Sequence, residues 1–172
     1  MTDSVLALCQ VPAEPTIWVW SGAEERPSGS ALHGWREARL TVRALRGHKM
    51  LTEPQLFDEF AAALQFPSYF GENWNALDDC LTDMAWLPPE AGYVLVISEP
   101  QRVLEGSPDA LAVLIRCLAS AFAEWSKPIS LGEWWDRPSV PFHTVLATRP
   151  DDEAEVRSRW IAAGAPLEDL QP

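Results

Sequence analysis

Three carboxylates, Asp78, Asp79 and Asp83, fall within the short stretch NWNALDDCLTDM. Groups of this type can hold a divalent cation or share a proton as an acid/base pair. Either chemistry needs a convergent second set of ligands, and the sequence offers none. His33, His48 and His143 stand at no catalytic spacing from a carboxylate or thiol. Cys9, Cys80 and Cys117 form an odd, scattered set without a C-x-x-C pair, which speaks against a disulfide framework or a zinc knuckle and for ordinary buried thiols. No glycine-rich phosphate loop, nucleophile elbow or dinucleotide fingerprint is present. The expectation is a chain with no enzymatic activity, no cofactor and no metal, whose acids act as a charged surface.

That surface needs a helix to present it. Pro67 biases Phe66 away from helical backbone, Gly71 can supply a positive φ for a sharp turn, and Asn73 can cap a helix beginning at about Trp74. At about 100° per residue, Trp74, Leu77, Cys80, Leu81 and Met84 share one side of that helix. Asn75, Asp78, Asp79, Thr82 and Asp83 share the other, which is left to solvent. Tyr69 and Phe70, in the turn before it, set aromatic surface beside the acids, although Tyr69 reads equally as a half-buried turn residue.

The rest of the chain supplies the scaffold. Residues 4–20 hold two short apolar runs split by PAEP, predicting two strands, an added hairpin; the polar stretch SGAEERPSGSALHG predicts a loop. RLTVRAL, from Arg39, alternates with period two, placing Leu40, Val42 and Ala44 on one face of a strand. Thr52 with Gln55 reads as a capping box for a helix over residues 53–65. The uninterrupted run 93–97 suits a strand buried on both faces of a parallel sheet. Ser107 and Pro108 open a helix reaching Trp125, and residues 142–148 form another buried strand. Between them lies an insertion, about residues 127–141, in which the pair Trp134 and Trp135 is expected to cover core. A last helix runs through Trp160 and Ile161 and ends at Gly164. The order is α/β, implying a small parallel sheet with right-handed crossovers, plus added N-terminal strands.

Composition bounds the partner. With 172 residues, 47% apolar content and nine tryptophans, the chain can build a real core. The formal net charge is -12. Nucleic-acid binding is therefore not expected, because phosphate contacts need Lys and Arg. Residues 50–124 carry twelve acidic side chains against only Arg102 and Arg116, while residues 36–49 carry five basic ones and only Glu37, so the molecule has a strong dipole. The absence of an apolar run of about 18 residues, or of a secretory start, predicts no membrane span and a cytoplasmic protein.

The run Pro67, Tyr69, Gly71, Glu72, Asn73, Ala76, Leu77, Asp79, Cys80, Leu81, Thr82 closely resembles the second helix, and the loop before it, of the barstar family of ribonuclease inhibitors. The surrounding element order is similar from about Arg39 to Thr148, which divides the chain into an N-terminal extension, residues 1–38, and a barstar-like domain, residues 39–172. The resemblance implies a three-stranded parallel sheet and an immunity-type inhibitor that blocks the active site of a basic ribonuclease. It implies that Asp79 stands in for an RNA phosphate, and that Tyr69, Phe70, Gly71, Asn75, Asp78, Thr82 and Asp83 share the contact. This chain has Asn75 where the family prototype has a second acid, and Asp78 where it has an exposed tryptophan, so the acidic contact moves about one residue around the helix. A different contact set selects a different basic partner. The alternative is a barstar-fold interaction module that uses its added segments and inhibits no ribonuclease.

Overall fold

The structure, a computed structural model, describes residues 3–171, so residues 1, 2 and 172 of the expected domain bounds lie outside it. Five strands, β1 (Ile17–Ser21), β2 (Leu40–Arg46), β3 (Gly92–Ser98), β4 (Phe142–Thr148) and β5 (Leu167–Asp169), form one sheet in the order β2-β3-β4-β1-β5. Every pairing is parallel, with Val96 opposite Val145 and Val19 opposite Leu146. The sheet therefore exceeds the expected three strands, while the α/β class stands.

Period-two alternation sends the central strands' side chains to two separate cores. Tyr93, Leu95, Ile97, Phe142 and Leu146 enter the larger one. There they meet α3 (Glu53–Leu64), α4 (Trp74–Asp83), α5 (Leu111–Trp125) and α6 (Glu153–Ala162). Val94, Val96, Val145 and Ala147 enter the smaller one with Trp20, which is closed by Val5 and Leu8 of α1 (Asp3–Leu8) and by Ala31 and Trp35 of α2 (Gly29–Glu37). Each large apolar side chain taken fully out of water contributes about 1.5–3 kcal/mol, so the N-terminal elements are an integral second layer.

Several local expectations give way here. The first apolar run is helical: Val5 and Leu8 bury on one side of α1 while Leu6 stays exposed, a pattern too short to distinguish from a strand by periodicity. The second run is β1, parallel to β4, so no hairpin forms. The last part of the expected loop, from Gly29, is α2, where Ser28 Oγ accepts from the Ala31 amide at 3.2 Å and caps the helix. In β2, Leu40 and Leu45 are buried and Ala44 is exposed, because this edge strand is covered differently along its length. Thr52 and Ser107 make no side-chain cap, and residues 108–110 form a tight 3-10 turn before α5 begins. Cys9 is exposed, unlike Cys80 and Cys117, since it lies beyond the buried side of α1.

Two buried polar groups lock the layers together. Glu59 receives Arg46 Nη2 at 2.7 Å and the Arg46 backbone amide at 2.9 Å, joining α3 to β2. Burial opposes its charge, yet these bonds hold its pKa below the ordinary carboxyl value. His143, fully buried in β4, accepts from Trp18 Nε1 at 3.0 Å through Nδ1 and donates from Nε2 to the Gln10 carbonyl at 3.0 Å. The neutral ring thus ties the link between α1 and β1 to the sheet. Burial lowers its pKa from 6.5 to about 4. On unfolding the ring takes up a proton anywhere between those values, so its contribution is complete above pH 6.5 and is lost as the pH falls toward 4. Denaturant melts from pH 7 to 5 are expected to show stability falling with acidity, and His143→Gln to flatten that slope.

Candidate functional site

The loop 66–73 rests on aromatic rings. Phe66 stacks edge-on against Phe70 at 4.8 Å between centroids, Phe70 against Phe57 at 6.3 Å, and Phe57 against Trp74 at 5.1 Å. Trp74 Nε1 donates to Glu53 Oε2 at 2.6 Å, pinning the start of α4 to the start of α3. These contacts fix the backbone from which Tyr69, 73% exposed, projects into solvent. Of the two adjoining aromatics, Phe70 is half-buried and supports the loop, and Tyr69 presents surface.

The turn into α4 departs from expectation in one respect. Glu72, with φ 48°, carries the left-handed backbone, and Gly71 has no positive φ. Glycine is suited to position 71 because an added Cβ would sit 3.1 Å from the side-chain nitrogen Nδ2 of Asn73, which donates to the Gly71 carbonyl at 2.9 Å. Asn73 Oδ1 accepts from the Ala76 amide at 3.0 Å, the predicted cap. At the other end Met84 takes a left-handed conformation and α4 stops.

On α4 the buried face is the expected one, but the outer face is solvated only in part. Leu77, Cys80, Leu81 and Met84 are buried and Trp74 is half-buried. Trp125 Nε1 of α5 donates to the Leu81 carbonyl at 2.8 Å, fixing the helix's rotation against its neighbour. Asn75, Asp79 and Asp83, spaced i, i+4, i+8, form an exposed row. Asp78 and Thr82 are half-buried on the flank toward α5, and the Thr82 hydroxyl is committed to the Asp78 carbonyl at 2.9 Å. Among the described residues, the carboxylates of Asp78, Asp79 and Asp83 enter no ion pair.

Their charge is felt on the inner side. Burial raises the Cys80 thiol, and Asp79 and Asp83 push it the same way; burial raises Cys117 to about 11, with Asp78 adding to the effect. Both thiols stay protonated and inert at neutral pH. Among the described residues no three His, Cys, Asp or Glu side chains gather as a metal site. Nor is any described helix long and apolar enough to cross a membrane.

A groove of about 980 Å³ opens beside the end of α4, between Asp83, the end of α5 and the insertion. Trp134 and Trp135, expected to cover core, are instead 88% and 47% exposed. Their exposure follows from the Ile129–Arg137 bridge, which closes the insertion into its own small loop away from the core. Nothing in the residue types distinguishes the two outcomes.

The family model described as Barstar (barnase inhibitor) matches residues 40–147. No curated protein matches the chain. Among solved structures it is similar to a chain of Drosophila ORC bound to AT-rich DNA and Cdc6, at 13% identity and TM-score 0.41, covering 92% of this chain and 49% of that one. It is also similar to Cdc6p from Pyrobaculum aerophilum, at 13% identity and TM-score 0.45, covering 100% of this chain and 50% of that one. The chain thus spans about half the length of these two, and likeness at this level carries no functional information.

The cap and the exposed row separate stability from recognition. Asn73→Ala is expected to lower the stability of the isolated protein by about 1 kcal/mol, whereas Asp79→Ala, which removes a like-charge neighbour of Asp83, should leave its melting temperature unchanged or slightly raised, as thermal denaturation of both variants would show.

Proposed function

The chain belongs to the barstar family, and from that membership we propose that it is a protein inhibitor that binds a basic ribonuclease and occludes its active site. The family is one of inhibitors rather than enzymes, and its name implies a ribonuclease partner in general. The observation that carries the finer reading is the row Asn75, Asp79, Asp83, exposed and in no ion pair among the described residues, beside the projecting Tyr69. Residues 1–38 are read as an extension that supplies the second layer of the barstar-like domain, residues 39–172.

Asp79 is the group offered in place of an RNA phosphate. Buried at an interface, its carboxylate pairs with the cationic side chains that otherwise hold substrate, and no bond is made or broken. Asp78 and Asp83 flank it and add to the potential, Tyr69 supplies an aromatic anchor, and Phe70, Gly71, Asn75 and Thr82 complete the contact. The net charge of -12 steers a basic partner toward this face. A prearranged loop and a capped helix lose little further freedom on binding.

Titration calorimetry against a catalytically inactive barnase at low and moderate salt tests this reading. The wild-type chain is expected to bind with a Kd of about nanomolar order, more weakly as salt rises. Asp79→Ala is expected to cost at least about 30-fold in affinity, as befits a central charged contact, and Tyr69→Ala a smaller factor. Equal affinities for all three proteins would refute it.

A further inference from the structure

The insertion is built to display its tryptophans. Ile129 and Arg137 exchange two backbone hydrogen bonds, at 2.8 and 3.0 Å, and close the loop. Within it the Asp136 carboxylate accepts from the Leu131 and Gly132 amides at 2.9 and 2.8 Å. Arg137 stacks 4.4 Å over the Trp125 ring and donates to the Lys127 carbonyl at 2.8 Å, which binds the loop to the end of α5. So anchored, the loop nevertheless exposes Trp134 and Trp135, packed edge-on at 5.3 Å, with Trp135 forming a wall of the groove. Leaving two such rings in water forfeits burial, and holding them rigid lowers the entropy lost when something covers them.

The groove's open carboxylate points to what does. Three carboxylates and two cations line it: Glu90 pairs with Arg39 and Glu124 with Arg137, while Lys127 enters no ion pair among the described residues. Asp83 pairs with no described residue. A cation with an apolar stem suits this setting, since the stem can lie along Trp135 and the head can reach Asp83. Position makes the supplier of that cation the protein docked on α4. Asp83 lies one helical turn beyond Asp79, about 6 Å along the axis, while a standard interface of about 800 Å² per partner extends about 16 Å from its centre. A partner centred on Asp79 therefore covers the mouth of the groove.

We propose that the groove between Asp83 and Trp135 is a second subsite for the same basic protein, receiving a Lys or Arg side chain from a surface segment of that partner, with Trp135 as its apolar wall and Trp134 packed behind that ring. The inference rests on the inhibitor reading and extends its contact surface from α4 to the insertion. It also makes the insertion the element that selects one basic partner over others, because the groove rewards a cation placed only there.

The test uses the full chain, a catalytically inactive barnase as probe, and three variants: Trp134→Ser with Trp135→Ser, Trp135→Lys alone, and Asp79→Ala. Both substituted rings are exposed, so unchanged melting temperatures are expected. The double variant should bind at least about tenfold more weakly, and Trp135→Lys more weakly still, because it places a positive charge where the partner's cation docks. Loss in Asp79→Ala with wild-type affinity in both tryptophan variants would overturn the subsite and leave the inhibitor reading intact. No binding by the wild-type chain would overturn both for a barnase-like partner.

Discussion

Strands β3 and β4 are buried on both faces, and the rest of the structure follows from that constraint. A parallel sheet has no solvent-facing side, so apolar residues alternate into two cores and each core demands its own helical cover. The segment matching the family model provides α3, α4 and α5 for one face, together with strands β2, β3 and β4. Cover for the other face comes from α1 and α2, through Val5, Leu8, Ala31 and Trp35. The N-terminal elements thus answer a need of the sheet, and they leave α4 free to turn its far side to solvent.

What distinguishes α4 is how completely its inner side is committed and how little its outer side is. Inward, the helix is held by the aromatic stack under residues 66–73, by Trp74 on Glu53, and by Trp125 on Leu81. Outward, its acids meet no cation among the described residues, although the chain has cations and uses several of them on other acids: Arg46 on Glu59, Arg39 on Glu90, Arg137 on Glu124, Arg157 on Glu153. Uncompensated charge on a rigid support is poor for stability and well suited to meeting a partner of opposite sign.

Legibility in the sequence tracked the number of residues that repeat a signal. The helix at Trp74, its Asn73 cap and the burial of Leu77, Cys80 and Leu81 could be read because ten residues keep one period and one cap. The strand over residues 93–97 was equally plain from five apolar residues in succession. Helix α1 has six residues and β5 three, too few for a period to register, and α2 hides behind Gly29 and Gly34. In the site, Glu72 took the strained backbone expected of Gly71, since the close approach of the Asn73 side-chain Nδ2, rather than a positive φ, explains the glycine. The exposure of Trp134 and Trp135 depended on where the insertion closes on itself, which residue type does not encode.

The account turns on which surface of this chain meets its partner, and amide hydrogen exchange with and without a catalytically inactive barnase asks that most directly. Slowed exchange centred on residues 69–83, reaching the insertion at residues 131–137, is the predicted result. Slowing confined to residues 3–38, or to the insertion with residues 69–83 unchanged, would contradict it and would point to an interaction module that keeps the fold without the inhibitory contact.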